Sequence, residues 1–253
     1  MSVGPVQKDI FQYAIQTSLT FPGKGAMVAS HSSFYFFKKT WIKKGGDLEM
    51  FKMRDRGWID IDLQTFGELM EYDRFLRALN VCMRSFHQDE LRKDGRPYET
   101  HPMRVAQILI YFGITDENSL IAALFHDSPE HIGLKLLDDM SSYGKEVVAI
   151  LRLVTRIKGQ DFGEYCQGIL SNEKAVKVKL ADRLHNLRNM VKRIGTDPWF
   201  SEPRLERQTK ETEKHILPMA ETAMVVFPQE AETIAKMAAE LRKAVRMAKL
   251  ILE

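Results

Sequence analysis

Cysteine is scarce in this sequence: Cys82 and Cys166 are the only two in 253 residues, and neither belongs to a C-x-x-C pair. A disulfide framework is excluded by that count, and a reduced, cytoplasmic protein is expected. Long apolar runs are missing too. None approaches the roughly 18–20 residues that a membrane-spanning helix needs. The start, MSVGPVQKDIFQYAIQ, lacks a basic stretch followed by an apolar one, so neither a membrane span nor a secretion signal is expected. A strong excess of charge is absent as well. The formal +3 is too small for the molecule as a whole to be a nucleic-acid binder. The charge is uneven, however: residues 1–57 carry nine Lys/Arg against four Asp/Glu. A solvated basic surface accounts for this segment, and a polyanionic partner is the alternative. No internal repeat or low-complexity tract occurs.

What is present is an ordinary globular composition, 44% apolar and 28% charged, in a chain long enough for one principal domain and an appendage. The chain divides near residue 65. Residues 1–65 hold Pro22-Gly23, Gly25 and Gly45-Gly46 between short aromatic and β-branched runs, including Phe34-Tyr35-Phe36-Phe37 and Trp58-Ile59-Asp60-Ile61-Asp62. This pattern predicts extended or mixed structure and contains no catalytic motif. From about Phe66 the periodicity turns helical: Leu69, Phe75, Leu79, Cys82, Met83 and Phe86 recur at three- and four-residue steps. Further helices are expected at about 102–113, 117–128, 134–139, 144–157, 174–193, 206–225 and 229–252. Gly113, Gly133, Gly144, Gly195 and Pro198 fall between them. Residues 66–253 are therefore expected to form an all-α domain.

Three stretches carry chemistry. His126-Asp127 ends the apolar run Leu120-Ile121-Ala122-Ala123-Leu124-Phe125. An imidazole and a carboxylate beside a buried segment need partners, because buried charges are paired or bind metals. Alone, the dipeptide also suits a helix cap. Second, projecting 174–193 as a helix gathers Val176, Leu180, Leu184, Leu187 and Val191 on one stripe and Asp182, His185, Asn186 and Asn189 opposite, with Lys177, Lys179, Arg183 and Arg188 on the flanks. Asp and Asn are poor helix formers, so such a face resembles the wall of an anion pocket, the alternative being exposed polar surface. Third, Arg92-Lys93-Asp94-Gly95-Arg96-Pro97-Tyr98 forms a basic turn, and His101-Pro102 opens the next helix with Pro in its favoured first turn. Arg92 and Lys93 supply cations for phosphates there.

These stretches, in the order R-K-D-G-x-P-Y-x-x-H-P, A-A-L-F-H-D-x-x-E, Y-G-K-E-V-V-A-I-L-R-L-V-T-R and V-K-L-A-D-R-L-H-N-L-R, resemble the HD-domain phosphohydrolases. More narrowly they resemble the RelA/SpoT-type (p)ppGpp hydrolase domain and the small alarmone hydrolases, over about residues 70–225. The resemblance implies an all-helical HD-domain bundle holding one divalent metal ion, usually Mn2+, on His101, His126, Asp127 and Asp182. It implies Glu130 as the residue that orients the attacking water. Arg92, Lys93 and Tyr98 would hold the guanine nucleotide, with Lys179, Thr155 and Asn186 lining its pocket. Chemistry agrees: a charged, kinetically stable phosphoanhydride needs an activated water and neutralised charge, which a bound cation and a general base supply.

One departure stands out. The guanosine tetraphosphate hydrolases read H-D-x-x-E-D, whereas this chain reads His126-Asp127-Ser128-Pro129-Glu130-His131. His131, with an ordinary pKa near neutrality, either replaces the acid as a proton carrier or is a surface residue. Pro129 is expected to interrupt the helix just before Glu130. The implied activity is removal of the 3′-pyrophosphate from guanosine tetra- or pentaphosphate, with an antitoxin variant acting on tRNA 3′ ends through the basic N-terminal segment. Alternatives are an HD-class 5′-nucleotidase and an inactive nucleotide- or protein-binding module. His31, His87 and His215 receive no role. The Met-rich C-terminal stretch reads as core packing, and the last helix also suits a homo-oligomer contact.

Overall fold

A computed structural model describes residues 41–44, 47–50, 73–85, 100–196 and 199–253. Within the N-terminal appendage, β1 (Trp41–Lys44) pairs antiparallel with β2 (Asp47–Met50), Trp41 facing Met50 and Lys44 facing Asp47. The remainder of residues 1–65, and with it most of the basic segment, lies outside the described residues.

From Asp73 onward the described chain is all-α. The helices are α1 (Asp73–Ser85), α2 (Thr100–Tyr111), α3 (Glu117–Phe125), α4 (Ser128–Ile132), α5 (Leu136–Asp139), α6 (Lys145–Val154), α7 (Phe162–Ile169), α8 (Glu173–Arg193), α9 (Glu202–Glu211), α10 (Leu217–Val226) and α11 (Ala231–Leu252). Among the described residues, no helix is long and apolar enough to cross a membrane.

Two helices form the centre. In α3 every residue from Ser119 to Phe125 is buried, as expected of a helix that is apolar all round. Asp116 caps it, its carboxylate accepting from the Ser119 N–H at 3.0 Å. Fully burying a side chain such as Phe125 or Leu124 contributes about 1.5–3 kcal/mol. A leucine at Ala122 or Ala123, both fully buried, would overpack the bundle at a cost of about 1–3 kcal/mol. The second central helix, α8, packs against α2, α3, α6, α9 and α11. Asn172 caps it by accepting from the N–H groups of Lys174 and Ala175.

The surroundings of α8 revise the sequence expectation. Its burial is not confined to one stripe: Lys177, Asp182 and Arg183 are buried as well. Three of the four flanking cations clamp it to neighbouring helices, Lys177 to Glu230 at 2.8 Å, Arg183 to Glu211 at 3.1 Å and Arg188 to Glu240 at 2.6 Å. These clamps, and not a row of free cations, line its sides.

Other expectations also change. Pro129 does not interrupt a helix. α3 ends at Phe125, and α4 begins at Ser128 with Pro129 in its first turn, where a missing N–H has no intrahelical partner to lose. The helix expected over 206–225 is two helices joined by a π turn, Thr212–Ile216. Pro218 cannot bond to the Lys214 carbonyl, and its ring would press against that group; the wider turn makes room. α7 was not expected, because Gly163 and Gly168 weaken its pattern. Its cap is nonetheless written in Asp161-x-x-Glu164, and Asp161 accepts from the N–H groups of Gly163 and Glu164. Of the breakers, Gly113 ends α2 at φ 79°, a conformation in which other residues are strained.

Candidate metal centre

The fold brings residues of three helical segments to one point. His101 comes from the first turn of α2, His126 from the residue after α3, and Asp182 from the middle of α8. All three are buried. His101 Nε2 lies 3.1 Å from His126 Nε2 and 3.3 Å from Asp182 Oδ1, and His126 Nε2 lies 3.5 Å from that same oxygen. Asp127 closes the group from its more open side: Oδ1 is 3.1 Å from His126 Nε2, and Oδ2 is 3.3 Å from His101 Nε2. Asp127 is the N-cap residue of α4 yet makes no capping bond with its side chain, which turns towards the histidines instead.

The hydrogen positions sharpen the case. The Ala123 carbonyl can only accept, so His126 Nδ1, 2.8 Å away, carries the hydrogen and Nε2 of the neutral ring presents a lone pair. His101 Nδ1 is 2.7 Å from His185 Nδ1, a bond that needs one hydrogen; with it on His101, Nε2 of that ring is bare too. Two imidazole lone pairs and two carboxylates then converge with no donor between them. Ligand atoms about 2.0–2.2 Å from a shared cation lie roughly 2.8–3.6 Å apart in tetrahedral or octahedral arrays. The observed 3.1–3.5 Å separations fall in that interval, and a mixed imidazole–carboxylate set suits a divalent cation. His101, His126 and Asp182, with Asp127 beside them, could therefore hold a metal.

The electrostatics point the same way. Burial disfavours an imidazolium at His126, yet the charges of Asp127 and Asp182 raise its pKa well above the ordinary value; the cluster draws positive charge. Burial also opposes the charge on Asp182, but Lys179 and His126 hold its pKa well below the usual carboxylate range. Lys179 Nζ is 3.0 Å from Asp182 Oδ2, and Asn186 Nδ2 donates to Asp182 Oδ1 at 2.6 Å.

A cavity of about 170 Å3 opens beside the cluster, lined by His126, Asp127 and Asp182 together with Glu130, Lys179, Asn186, Val154, Val178, Arg183 and Gln208. Glu130 reaches solvent but sits recessed in this cavity; burial raises its pKa, and the nearby Asp127 and Asp182 add to the rise. Its Oε1 accepts from the Arg156 N–H at 2.8 Å, which leaves Oε2 for a second partner.

The expected site residues thus divide. His101, His126, Asp127, Asp182, Glu130, Lys179 and Asn186 come together. Arg92, Lys93 and Tyr98 lie outside the described residues. Thr155 does not line the cavity: it is buried at the end of α6, where its hydroxyl donates to the Leu151 carbonyl at 2.6 Å. His131 is exposed and likewise off the cavity wall, near enough for its charge to favour the ionised form of Asp127. His185, placed by sequence on the polar face of α8, bonds His101. Arg183 and Gln208 were not expected on the wall. Arg183 had a signal in its place next to Asp182, whereas Gln208 reaches the cavity only because α9 folds against α8.

Residues 78–164 match the family model described as an HD domain. Those residues are similar to an HD domain. The matched span includes His101, His126 and Asp127, while Asp182 follows it. The chain has relatives of known description. Over 158 residues the chain is 32% identical to a probable GTP pyrophosphokinase of Mycobacterium leprae (strain TN), covering 56% of this chain and 19% of that protein. It is 29% identical over 126 residues to the bifunctional (p)ppGpp synthase/hydrolase SpoT of Escherichia coli (strain K12), covering 46% of this chain and 18% of that one. The chain thus spans about a fifth of the length of these curated relatives. A solved structure, described as a metazoan ortholog of SpoT that hydrolyzes ppGpp and plays a role in starvation responses, superposes on this chain with a TM-score of 0.54 and 25% identity. The match covers 68% of this chain and 94% of that one.

Proposed function

We propose that this chain is a divalent-metal-dependent phosphohydrolase that removes the 3′-pyrophosphate from guanosine tetra- or pentaphosphate, with manganese as its ion. The observation that carries this reading is the convergence of acceptor groups from His101, His126, Asp127 and Asp182 beside the half-engaged carboxylate of Glu130. The likeness to a structure described as hydrolyzing ppGpp, over nearly all of that chain, supports the choice of substrate.

In this reading the two histidines and two aspartates hold the cation. When bound, a divalent cation polarises a phosphoryl oxygen and makes water more acidic. Oε2 of Glu130 accepts the proton of the attacking water while the Arg156 N–H keeps the carboxylate in place, and its raised pKa suits a general base working near neutral pH. Lys179 and Asn186 fix the orientation of Asp182 and limit the negative charge that a nucleotide phosphate meets. Arg92, Lys93 and Tyr98 are the proposed contacts to the nucleotide. His131 takes no part in proton transfer, since it does not line the cavity.

The test is a substrate panel with manganese: guanosine tetraphosphate, a deoxynucleoside monophosphate and pyrophosphorylated tRNA, with released pyrophosphate and phosphate measured separately. Pyrophosphate from guanosine tetraphosphate is the expected result. Phosphate from the monophosphate alone would replace this reading with the nucleotidase one. No product from any of them, with manganese demonstrably bound, would leave a binding module.

A further inference from the structure

Residues 155–161 join α6 to α7, and most of them are exposed. Surface links of this kind are ordinarily mobile. This one is closed on itself at Gln160. The Gln160 N–H donates to the Ile157 carbonyl at 3.0 Å, in a turn where Gly159 takes a φ of 88° that few side chains adopt. Its side-chain Oε1 accepts from the Ile157 N–H at 3.2 Å. Its own carbonyl accepts twice from Arg156, from Nε at 3.2 Å and from a terminal nitrogen at 2.7 Å. The Arg156 guanidinium also lies 5.1 Å from the centre of the Phe162 ring, at the start of α7. Both ends of the link are fixed as well. Tyr165 in α7 donates its hydroxyl to the Val154 carbonyl at 2.5 Å, and Asp161 caps α7. The clasp holds a backbone donor that is used elsewhere. α6 stops where Thr155 turns extended, at φ −85° and ψ 114°, which takes the Arg156 N–H out of the helical ladder. That N–H is the donor to Glu130 at 2.8 Å.

We infer that Arg156 and Gln160 are positioning residues for Glu130: the clasped turn keeps the Arg156 N–H on Oε1, and this fixes where Oε2 meets the attacking water. The inference rests on the proposed hydrolase function, in which Glu130 is the general base. Glu130 reaches solvent from the short helix α4, so its long side chain has rotamer freedom to lose and needs a partner to hold it. Among the described residues that hydrogen-bond partner is the Arg156 N–H. Catalytic geometry is exacting, since a misplacement of about 1 Å costs about 10²-fold in rate. Arg156 does not line the cavity, and its guanidinium is committed to Gln160 and Phe162. Its side chain therefore acts on Glu130 through its own backbone, not on the substrate.

The test uses the full chain loaded with manganese and the variants Gln160→Ala, Gln160→Glu and Arg156→Met, alone and combined with Glu130→Gln. Gln160→Ala removes one acceptor and should lower kcat for guanosine tetraphosphate about 2–10-fold with KM unchanged. Gln160→Glu keeps an acceptor for the Ile157 N–H and should restore most of the rate. Arg156→Met removes both bonds to the Gln160 carbonyl but leaves the N–H, and should lower kcat about tenfold or more. Beside Glu130→Gln, neither Gln160→Ala nor Arg156→Met should lower kcat further, because residues that act through one group are not additive. A second readout needs no turnover. Hydrogen exchange of the Arg156 amide, followed by NMR, should quicken about 2–10-fold in Gln160→Ala and in Glu130→Ala, with the amides of α6 unchanged. Manganese content and melting temperature report whether each variant is intact, and should Arg156→Met not fold, Gln160→Ala decides alone. Losses that persist in full beside Glu130→Gln, or a raised KM with kcat intact, would overturn the inference, since Arg156 then meets the nucleotide itself. An unchanged kcat in Gln160→Ala and Arg156→Met would also overturn it and leave the hydrolase standing. No pyrophosphate release from wild type would sink the hydrolase reading alone, and exchange of the Arg156 amide would then decide whether the turn holds Glu130.

Discussion

The two ends of α3 carry polar clusters of opposite logic. At its N-terminal end the charged groups meet partners of opposite sign. Arg74 donates to Glu117 and Asn118, each at 2.9 Å, and to the Tyr143 carbonyl; Glu117 also accepts from the Phe75 N–H. Lys174 bridges Asp116 and Glu146, and Asn118 donates to Glu146. At the C-terminal end, around His126, acceptor faces acceptor at 3.1–3.5 Å. The first cluster balances its charges and ties α1, α3, α6 and α8 together. The second gathers imidazole and carboxylate groups that a cation at its middle would satisfy together. A buried polar cluster is therefore read by the signs of its groups: balanced signs mark structure, and one-sided signs mark a binding site.

This contrast is open to direct attack. The largest effect is expected from Asp182→Ala, which removes the buried carboxylate of the one-sided cluster: stoichiometric manganese binding, followed by metal analysis after dialysis, should be lost together with turnover. Retention of tight metal binding would show that the cluster is not the site. Next, Glu130→Gln should keep the metal and lower kcat by about 10²–10⁴-fold. An unchanged kcat removes Glu130 from proton transfer. His185→Ala, which takes away the partner of His101 Nδ1, should weaken manganese affinity about 10–100-fold, measured by metal titration. At the balanced end, Glu117→Ala should cost about 1–3 kcal/mol in denaturant unfolding while leaving the manganese Kd as it was, because it strands Arg74 and the Phe75 N–H. A changed Kd would mean the two ends are coupled through α3.

The smallest expected effect is a pH dependence. Burial tends to raise the Asp116 pKa, but bonds from Ser119 and Lys174 bring it below its ordinary 3.8. A lowered folded-state pKa gives stability that is present in full above pH 3.8 and is lost as the pH falls through the lower folded value. Asp116 is partly exposed, so solvent screens much of this. Asp116→Asn should flatten the acid limb of thermal stability slightly, and an unaltered limb would remove Asp116 as its source.

Several features were legible before any fold was known. The apolar run from Leu120 to Phe125 announced a buried helix, and such a helix leaves the following His126-Asp127 in need of partners, as a helix cap or as a site. Asp182, His185 and Asn186 were marked by being short polar groups inside a helix that prefers long ones. Local sequence misled where a neighbour decided the outcome. Pro129 read as an interruption because nothing local says that α3 has already ended. The π turn ahead of Pro218 and the short helix behind Asp161 were hidden by a proline and by glycines whose effect depends on what packs beside them.

The sequence by itself determined the all-α character from Asp73 onward, which follows from periodicity, while the set His101, His126, Asp127 and Asp182 was named through the order of motifs shared with a family. Only the tertiary structure decided which polar groups neutralise one another and which are left facing the cavity. Lys177, Arg183 and Arg188, placed by sequence on the flanks of a polar face, pair with glutamates of the Pro228–Glu230 turn, α9 and α11. Thr155 turns to its own helix, while Gln208 arrives at the cavity from 26 residues beyond Asp182. Pairing between distant residues is a matter of angstroms, and a helix brings those together only after it has found the helices it packs against.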